Sequence, residues 1–181
     1  MIQNILDLYI IMLILRCWMI LVLEDYSNPL VKFIIKMTHP LLHPLQYFVP
    51  LSYQTLEIHS IVIAFLLTVI KYLTMIFLLG KEYEFISMNI FMIAIISLIK
   101  ITGSLVLWIM LLKSIIKLIT QGYYHPIDYI LTQLTEPIVS PIRNYIPTIG
   151  CLDLSPLVVV LVIHFLNDLG LTIFPTLWPL L

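Results

Sequence analysis

The stretch YYHPIDYILTQLTEPIVSPIRNYIPTIGCLDLSP, Tyr123 to Pro156, decides the fold because the chain carries an earlier version of it. The segment Tyr26 to Pro50 aligns with Tyr123 to Pro147 without a gap, at an offset of 97 residues. Six identical residues coincide: Tyr26 with Tyr123, Pro29 with Pro126, Thr38 with Thr135, Pro40 with Pro137, Pro44 with Pro141, and Pro50 with Pro147. This agreement predicts an internal repeat.

The composition is that of an integral membrane protein. Hydrophobic residues make up 61% of the 181-residue chain and charged residues 10%, and the mean hydropathy is +1.09. Soluble domains are about half apolar and a quarter charged. The net charge of −1, with nine scattered basic residues, argues against a nucleic-acid partner and leaves the lipid bilayer as the expected environment.

Apolar runs on either side of each proline-rich segment predict four transmembrane helices. These helices are expected at Ile5–Leu23, Ile58–Leu79, Thr102–Thr120 and Asp153–Phe174. The predicted fold class is an all-α membrane protein with two tandem repeats of span, proline-rich amphipathic hairpin and span. Repeat 1 is expected over residues 1–80 with a hairpin at 24–57, and repeat 2 over residues 102–181 with a hairpin at 121–154.

The apolar segment between the repeats, residues 81–101, leaves the number of spans open. Phe85–Ile101 could form a fifth span, an interfacial helix, or the first part of one long helix kinked near Gly103. We favour the long helix, because a fifth span would separate the two hairpins across the membrane. With four spans, Lys32, Lys36, Lys113, Lys117 and Arg143 lie on one side, which predicts cytoplasmic hairpins by the positive-inside rule.

Each hairpin is expected to consist of two short helices. Asn28 and Pro29 are typical of a helix start, and Lys32 and Lys36 share one face of an amphipathic interfacial helix. His39 and Pro40 should end that helix, and a second one should follow with a kink at Pro44. Pro50 closes the first hairpin and Pro147 the second. In the last span, Asp153 and Ser155 can cap the helix before Pro156.

Charged and polar residues inside the spans are candidate functional residues, because burial in lipid is costly for them. They are Arg16, Lys71, Lys113, His164 and Asp168. Asp168 is expected to pair with Arg16 or Lys113. These residues could form an ion or proton path, or they could be interhelical polar contacts with cations that reach the headgroups.

No catalytic constellation, metal site or cofactor site is predicted. His39 and His43 are spaced i, i+4, but two ligands do not define a metal or haem site. No nucleophile with a base, phosphate-binding loop or HExxH motif occurs, so an enzyme is not expected. Arg143, between Pro141 and Pro147, could bind a lipid phosphate or a protein carboxylate, or simply reach the interface.

The second hairpin resembles that of the YggT family of integral membrane proteins, also called YlmG. The motifs are Glu136-Pro-Ile-Val-Ser-Pro-Ile-Arg143 and the ending Gly150-x-x-Asp153-x-Ser155-Pro156. Leu15-Arg-x-Trp18 and Gln121-Gly122 extend the resemblance over most of the chain. The family usually places two basic residues after the second hairpin proline, whereas this chain has Gln46-Tyr47 and Arg143-Asn144.

The resemblance implies a non-enzymatic protein of the inner membrane. Family members are associated with envelope and division functions, osmotic tolerance and, in plastids, nucleoid organisation and cytochrome b6 haem assembly. Two hypotheses follow for this chain. The first is an assembly or scaffold factor that docks a protein partner through its hairpins, and the second is an ion or osmolyte transport component that uses Asp168 with Arg16 or Lys113.

Overall fold

The computed structural model describes residues 2–23, 28–46, 53–79, 89–120, 126–145, 155–175 and 177–180. Within these ranges the chain forms six α-helices and a short 3-10 helix. The α-helices are α1 (Ile2–Val22), α2 (Pro29–Gln46), α3 (Tyr53–Leu79), α4 (Ile90–Thr120), α5 (Pro126–Arg143) and α6 (Ser155–Ile173), and the 3-10 helix is Trp178–Leu180.

Four of these helices are long and apolar enough to cross a membrane, as the sequence predicts. The qualifying stretches are Gln3–Val22, His59–Phe77, Ile90–Lys117 and Ser155–Ile173. Helix α4 has 31 residues, and at 1.5 Å per residue it is about 46 Å long. It runs without interruption through Gly103, so the prediction of one long helix is confirmed over residues 90–120.

The predicted break in each proline-rich segment is wrong. Helix α2 continues through Pro40 and Pro44, and α5 continues through Pro137 and Pro141. Prolines four residues apart lie on one side of a helix, so the hydrogen bonds that they remove are lost on one side only. The side chains of Pro40, Pro137 and Pro141 are exposed, and that side faces away from the packed one. Over Pro29–Gln46 and Pro126–Arg143, each segment is therefore a single amphipathic helix.

The helix starts agree with the sequence where they can be compared. The side chain of Asn28 caps α2, since its Oδ1 accepts a hydrogen bond from the backbone N–H of Leu30 at 3.0 Å. Pro29 is the first residue of α2, where its missing N–H has no consequence. Helix α6 begins at Ser155 and Pro156. Pro50, Pro147, Gly150 and Asp153 lie outside the described residues.

The chain divides into two compact units, Met1–Thr102 and Gly103–Leu181. In the first unit, α1 packs against α2 and α3, and α2 also packs against α3. Buried side chains from four helices form its core: Ile10 and Leu13 of α1, Leu42 of α2, Ile63 and Ala64 of α3, and Ile101 of α4. Helix α2 is therefore part of this packed core.

The second unit contains the latter part of α4, together with α5, α6 and the 3-10 helix. Helix α5 packs against α6, and α6 packs against the 3-10 helix. Gly103 of α4 lies beside Ile163 of α6, because a Cβ atom added to the glycine would be 3.7 Å from Cγ2 of Ile163. At the other end of α6, Gly170 leaves room for the indole ring of Trp178, whose Nε1 donates to Asn167 Oδ1 at 3.0 Å.

Candidate functional site: two proline helices anchored to the spans

A buried arginine anchors α2 to the side of α1. Arg16 is only 4% exposed, and its Nη1 donates to Thr38 Oγ1 at 2.7 Å and to the carbonyl oxygen of Ile35 at 3.3 Å. The hydroxyl of Thr38 donates in turn to the carbonyl oxygen of Ile34 at 2.8 Å. The hydroxyl proton thus satisfies its own helix, while the oxygen remains available as an acceptor for the cation.

A lysine anchors α5 to α4 in the same way. Lys113 Nζ donates to Thr135 Oγ1 at 2.8 Å, and the hydroxyl of Thr135 donates to the carbonyl oxygen of Leu131 at 2.8 Å. These residues lie 97 positions after Arg16, Thr38 and Ile34, respectively. We call each arrangement a cation–threonine junction.

Both junctions lie along the length of a span and not at its end. Arg16 is six residues before the end of α1 at Val22, and Lys113 is seven residues before the end of α4 at Thr120. These separations correspond to about 9 and 11 Å along the helix axis. Tyr9 adds a contact further along α1, because its hydroxyl donates to the carbonyl oxygen of Met37 at 3.0 Å. Helix α2 is thus packed against the side of α1, and α5 is linked to the side of α4 through Lys113.

Helix α2 presents three different faces. Its buried face carries Val31, Ile34, Thr38 and Leu42. A second, exposed face is basic and carries Lys32, Lys36 and His39, which we call the α2 basic surface. A third face is apolar but also exposed, with Phe33, Met37 and Leu41 at 51%, 47% and 37%.

Helix α5 differs from α2 in what it leaves exposed. Ile130 and Leu134, which occupy the positions of Phe33 and Met37, are buried. The exposed part is polar and proline-containing, and we call it the α5 surface: Tyr129, Pro137, Ser140 and Pro141. The α5 surface therefore offers hydroxyl groups and proline rings but few aliphatic side chains.

Arg143 is held at the edge of the α5 surface. Its Nη1 donates to Glu136 Oε1 at 2.8 Å, and both side chains are partly exposed, at 38% and 44%. Arg143 thus contacts a protein carboxylate within its own helix. Exposed ion pairs of this kind contribute little to stability.

A second charged group inside the first unit connects α1 with α3. Lys71 Nζ contacts Asp7 Oδ1 at 2.6 Å, and the lysine side chain is only 7% exposed. The same ammonium lies 5.5 Å from the ring centroid of Tyr72, whose hydroxyl donates to Ser97 Oγ at 3.0 Å. A buried cation is stabilised by such an anionic partner. The sequence indicated Lys71 as an intramembrane charge, but Asp7 was not identified as its partner.

Asp168 does not form the expected ion pair within the second unit. Its side chain and that of His164 are exposed on α6, while Lys113 donates to Thr135. The other predicted partner, Arg16, donates to Thr38. Lys113 and Arg16 therefore donate to neutral hydroxyl groups, whereas charge alone would predict a carboxylate partner. Asp168 is five residues from the end of α6 at Ile173, or about 8 Å along the axis.

No metal-binding cluster is present in the described ranges, where no group of three or more His, Cys, Asp and Glu side chains lies close together. His39 and His43 are neighbours on α2 with ring centroids 5.5 Å apart.

Sequence reasoning missed several residues that hold the structure. Thr38 and Thr135 coincide in the repeat, but nothing in the pattern identified them as acceptors. Asp7 interrupts the first apolar run, and this interruption was the available signal for its pairing with Lys71. Tyr72, Ser97 and Trp178 gave no comparable signal, because their contacts depend on how helices face each other.

The comparison with known families agrees with this architecture. A model of the CCB3/YggT family matches residues 1–78 and 92–174. The chain belongs to this family. Each matched stretch contains one proline helix and its cation–threonine junction. The resemblance inferred from the hairpin motifs is thereby confirmed.

Similar proteins occur in several bacteria. The chain is 36% identical over 178 residues to an uncharacterized protein in the proC 3' region of Vibrio alginolyticus, covering 98% of this chain and 95% of the relative. It is 32% identical over 167 residues to the uncharacterized protein YggT of Escherichia coli K12, covering 92% and 85%. An uncharacterized protein of Haemophilus influenzae is 30% identical over 178 residues, covering 98% and 93%. No solved structure matches.

Proposed function

We propose that the protein is a non-enzymatic assembly or scaffold factor of the cell envelope that docks a protein partner on the α5 surface. The observation that carries this proposal is the contrast between the two sides of α5. Its apolar side and its junction with α4 are covered, so the helix is held in place, while its polar side is left exposed. A fixed, exposed polar surface beside a membrane span suits the docking of a protein partner.

The chemistry of the α5 surface favours a protein over a lipid as its partner. Tyrosine is enriched at protein interfaces, because its ring adds contact area and its hydroxyl forms hydrogen bonds. Tyr129 is 50% exposed, and its hydroxyl accepts a hydrogen bond from Gln133 Nε2 at 3.0 Å. The Glu136–Arg143 pair adds one acidic and one basic group at the same edge. We expect the location to be the inner membrane, with α2 and α5 on the cytoplasmic side.

The transport alternative receives less support from the contacts. It requires Asp168 to act with Arg16 or Lys113, and both cations are bound to threonine hydroxyls. Flux measured in proteoliposomes discriminates the two functions. We expect no specific flux above that of empty vesicles, and Asp168→Asn should not change it. A flux that Asp168→Asn abolishes would favour transport.

Site-specific crosslinking in cells tests the docking proposal. A photoreactive benzoyl-phenylalanine is placed at position 129 or 140 on the α5 surface, and at position 161 or 165 on α6 as a control. Leu161 and Phe165 are also exposed, at 58% and 63%, but lie on an apolar span. We expect an adduct with one discrete protein at 129 and 140 and no such adduct at the controls.

Charge and proline variants show whether the α5 surface itself is recognised. Arg143→Gln and Pro141→Ala should abolish the adduct while membrane insertion is unchanged. Lys117→Gln is the matched control for the lost charge, because Lys117 is an exposed cation in the last turn of α4. An adduct that survives in Arg143→Gln, or that disappears equally in Lys117→Gln, would contradict the proposal.

A further inference from the structure

The α2 basic surface forms a shallow groove on the outside of the first unit. Its walls are Lys32, Ile35, Lys36, His39 and Pro40. The three basic residues follow the spacing i, i+4, i+7, which places them on one side of a helix. The side chains of Lys32, Lys36 and His39 therefore border a common open groove.

The positive charge of this groove has no acidic partner within α2. The helix Pro29–Gln46 contains neither aspartate nor glutamate. The ion pairs found between described residues are Lys71 with Asp7 and Arg143 with Glu136, and neither involves the groove. In the described part of the chain, Lys32 and Lys36 thus have no carboxylate within ion-pair distance. A negatively charged group from outside the chain can therefore bind there without displacing a partner among the described residues.

The two exposed faces of α2 determine how the groove meets the membrane. At 3.6 residues per turn, the apolar face of Phe33, Met37 and Leu41 lies about 130° around the helix from the basic surface. The exposed apolar face is shielded from water when it faces acyl chains, while α1 and α3 pack against α2 on its buried face. The basic surface is then turned toward the headgroups, as in other interfacial amphipathic helices.

The second proline helix lacks this charge. The residues of α5 that correspond to Lys32, Lys36 and His39 are Tyr129, Gln133 and Glu136. The apolar positions that correspond to Phe33 and Met37 are buried in α5 but exposed in α2. Each of the two helices forms a cation–threonine junction, but their exposed faces differ. A ligand of α2 is therefore not expected on α5.

Pro40 removes one backbone hydrogen bond beside the groove. Because it has no N–H, it donates no hydrogen bond to the carbonyl oxygen of Lys36, four residues earlier. Pro40 and Lys36 both line the groove.

We propose that the α2 basic surface is a binding site for the phosphate of an anionic phospholipid headgroup, such as phosphatidylglycerol. Lys32 and Lys36 contact the phosphate, His39 borders it, and Phe33 and Met37 contact the acyl chains of neighbouring lipids. This inference does not depend on the proposed function, since the partner surface is on α5.

Lipid binding to the purified protein in a neutral detergent tests the inference. Native mass spectrometry measures the bound fraction of added phosphatidylglycerol, with phosphatidylcholine as the uncharged comparison. We expect phosphatidylglycerol to bind preferentially. Lys36→Gln should lower its affinity about fivefold, which is the effect of one lysine near an anionic surface, and Lys32→Gln with Lys36→Gln should lower it further.

Lys117→Gln is the matched control, because it removes one exposed lysine elsewhere and should leave binding unchanged. Lys36→Arg keeps the charge and should retain binding, which separates charge from side-chain shape. Equal binding of the two lipids, or equal losses in Lys36→Gln and Lys117→Gln, would overturn the inference. Stabilisation of the protein by inorganic phosphate to the same extent as by the lipid would overturn the assignment to a lipid. Crosslinks at position 129 should persist in Lys36→Gln.

Discussion

At the scale of single residues, the two cation–threonine junctions show cations that donate to neutral hydroxyl groups. A buried ion is costly unless hydrogen bonds compensate for the lost water. Arg16 is compensated by one hydroxyl and one carbonyl oxygen, while its Nε remains buried without an acceptor among the described residues. The guanidinium therefore depends strongly on the few acceptors it has, and Thr38 is the nearest of them.

We predict that Thr38→Val destabilises the protein by about 2 kcal/mol, because hydrogen bonds to charged groups contribute about 1.5–3 kcal/mol. Thermal unfolding in detergent measures the change. Thr102→Val is the matched control, since the hydroxyl of Thr102 donates to the carbonyl oxygen of Leu98 within its own helix. Thr135→Val should cost less than Thr38→Val, because Lys113 is less buried than Arg16. Equal effects of Thr38→Val and Thr102→Val would show that the junction contributes nothing specific.

At the scale of helices, the internal prolines do not end the helices that contain them. A proline inside a helix removes one hydrogen bond and reduces helix stability by about 3 kcal/mol relative to alanine. Helix α2 and helix α5 nevertheless continue through their prolines, since the tertiary contacts of the opposite face hold them. The prolines are thus not required to shape the segment.

We predict that Pro40→Ala and Pro137→Ala leave the fold intact and do not lower the thermal unfolding temperature. Alanine restores the missing N–H, and both positions are exposed, so no packing is lost. A true hairpin would respond in the opposite way, because its bend would depend on proline. A marked fall in unfolding temperature in both variants would therefore favour two short helices.

The 3-10 helix after α6 provides another prediction at this scale. A Cβ atom on Gly170 would overlap the indole ring of Trp178, so Gly170→Ala should displace the ring and break its hydrogen bond to Asn167. We expect a red shift of Trp178 fluorescence in a background in which Trp18 and Trp108 are replaced by phenylalanine. Gly103→Ala is the control, because the added methyl group would be at an ordinary van der Waals distance from Ile163. An unchanged spectrum in Gly170→Ala would contradict this contact.

At the scale of the whole molecule, four spans require that α2 and α5 lie on the same side of the membrane. We predict that cysteines replacing Lys36 and Ser140, both exposed, are labelled by an impermeant reagent only after the cytoplasmic side is opened. The native Cys17 and Cys151 are first replaced by serine. Labelling of the two positions from opposite sides would require a fifth crossing and would contradict the topology.

The sequence predicted the large features of this molecule better than its contacts. The four spans, the cap at Asn28 and the long α4 follow from apolar runs and local capping rules, which depend on neighbouring residues. The continuity of α2 through Pro40 was missed, because local rules give the penalty for proline but not the tertiary packing that offsets it. The pairing of Asp168 was wrong for Lys113, since charge and depth do not indicate which way a helix faces or which hydroxyl is nearer.

The uninterrupted course of α4 has a consequence for any attempt to express the two units as separate fragments. The boundary between the units falls between Thr102 and Gly103, within α4. A gene split at these codons would create two new helix ends inside the apolar stretch. In a membrane, the backbone amides and carbonyls of these ends would have no water with which to form hydrogen bonds. Fragments divided before Ile90 or after Thr120 keep every turn of α4 in one polypeptide and are the ones to co-express.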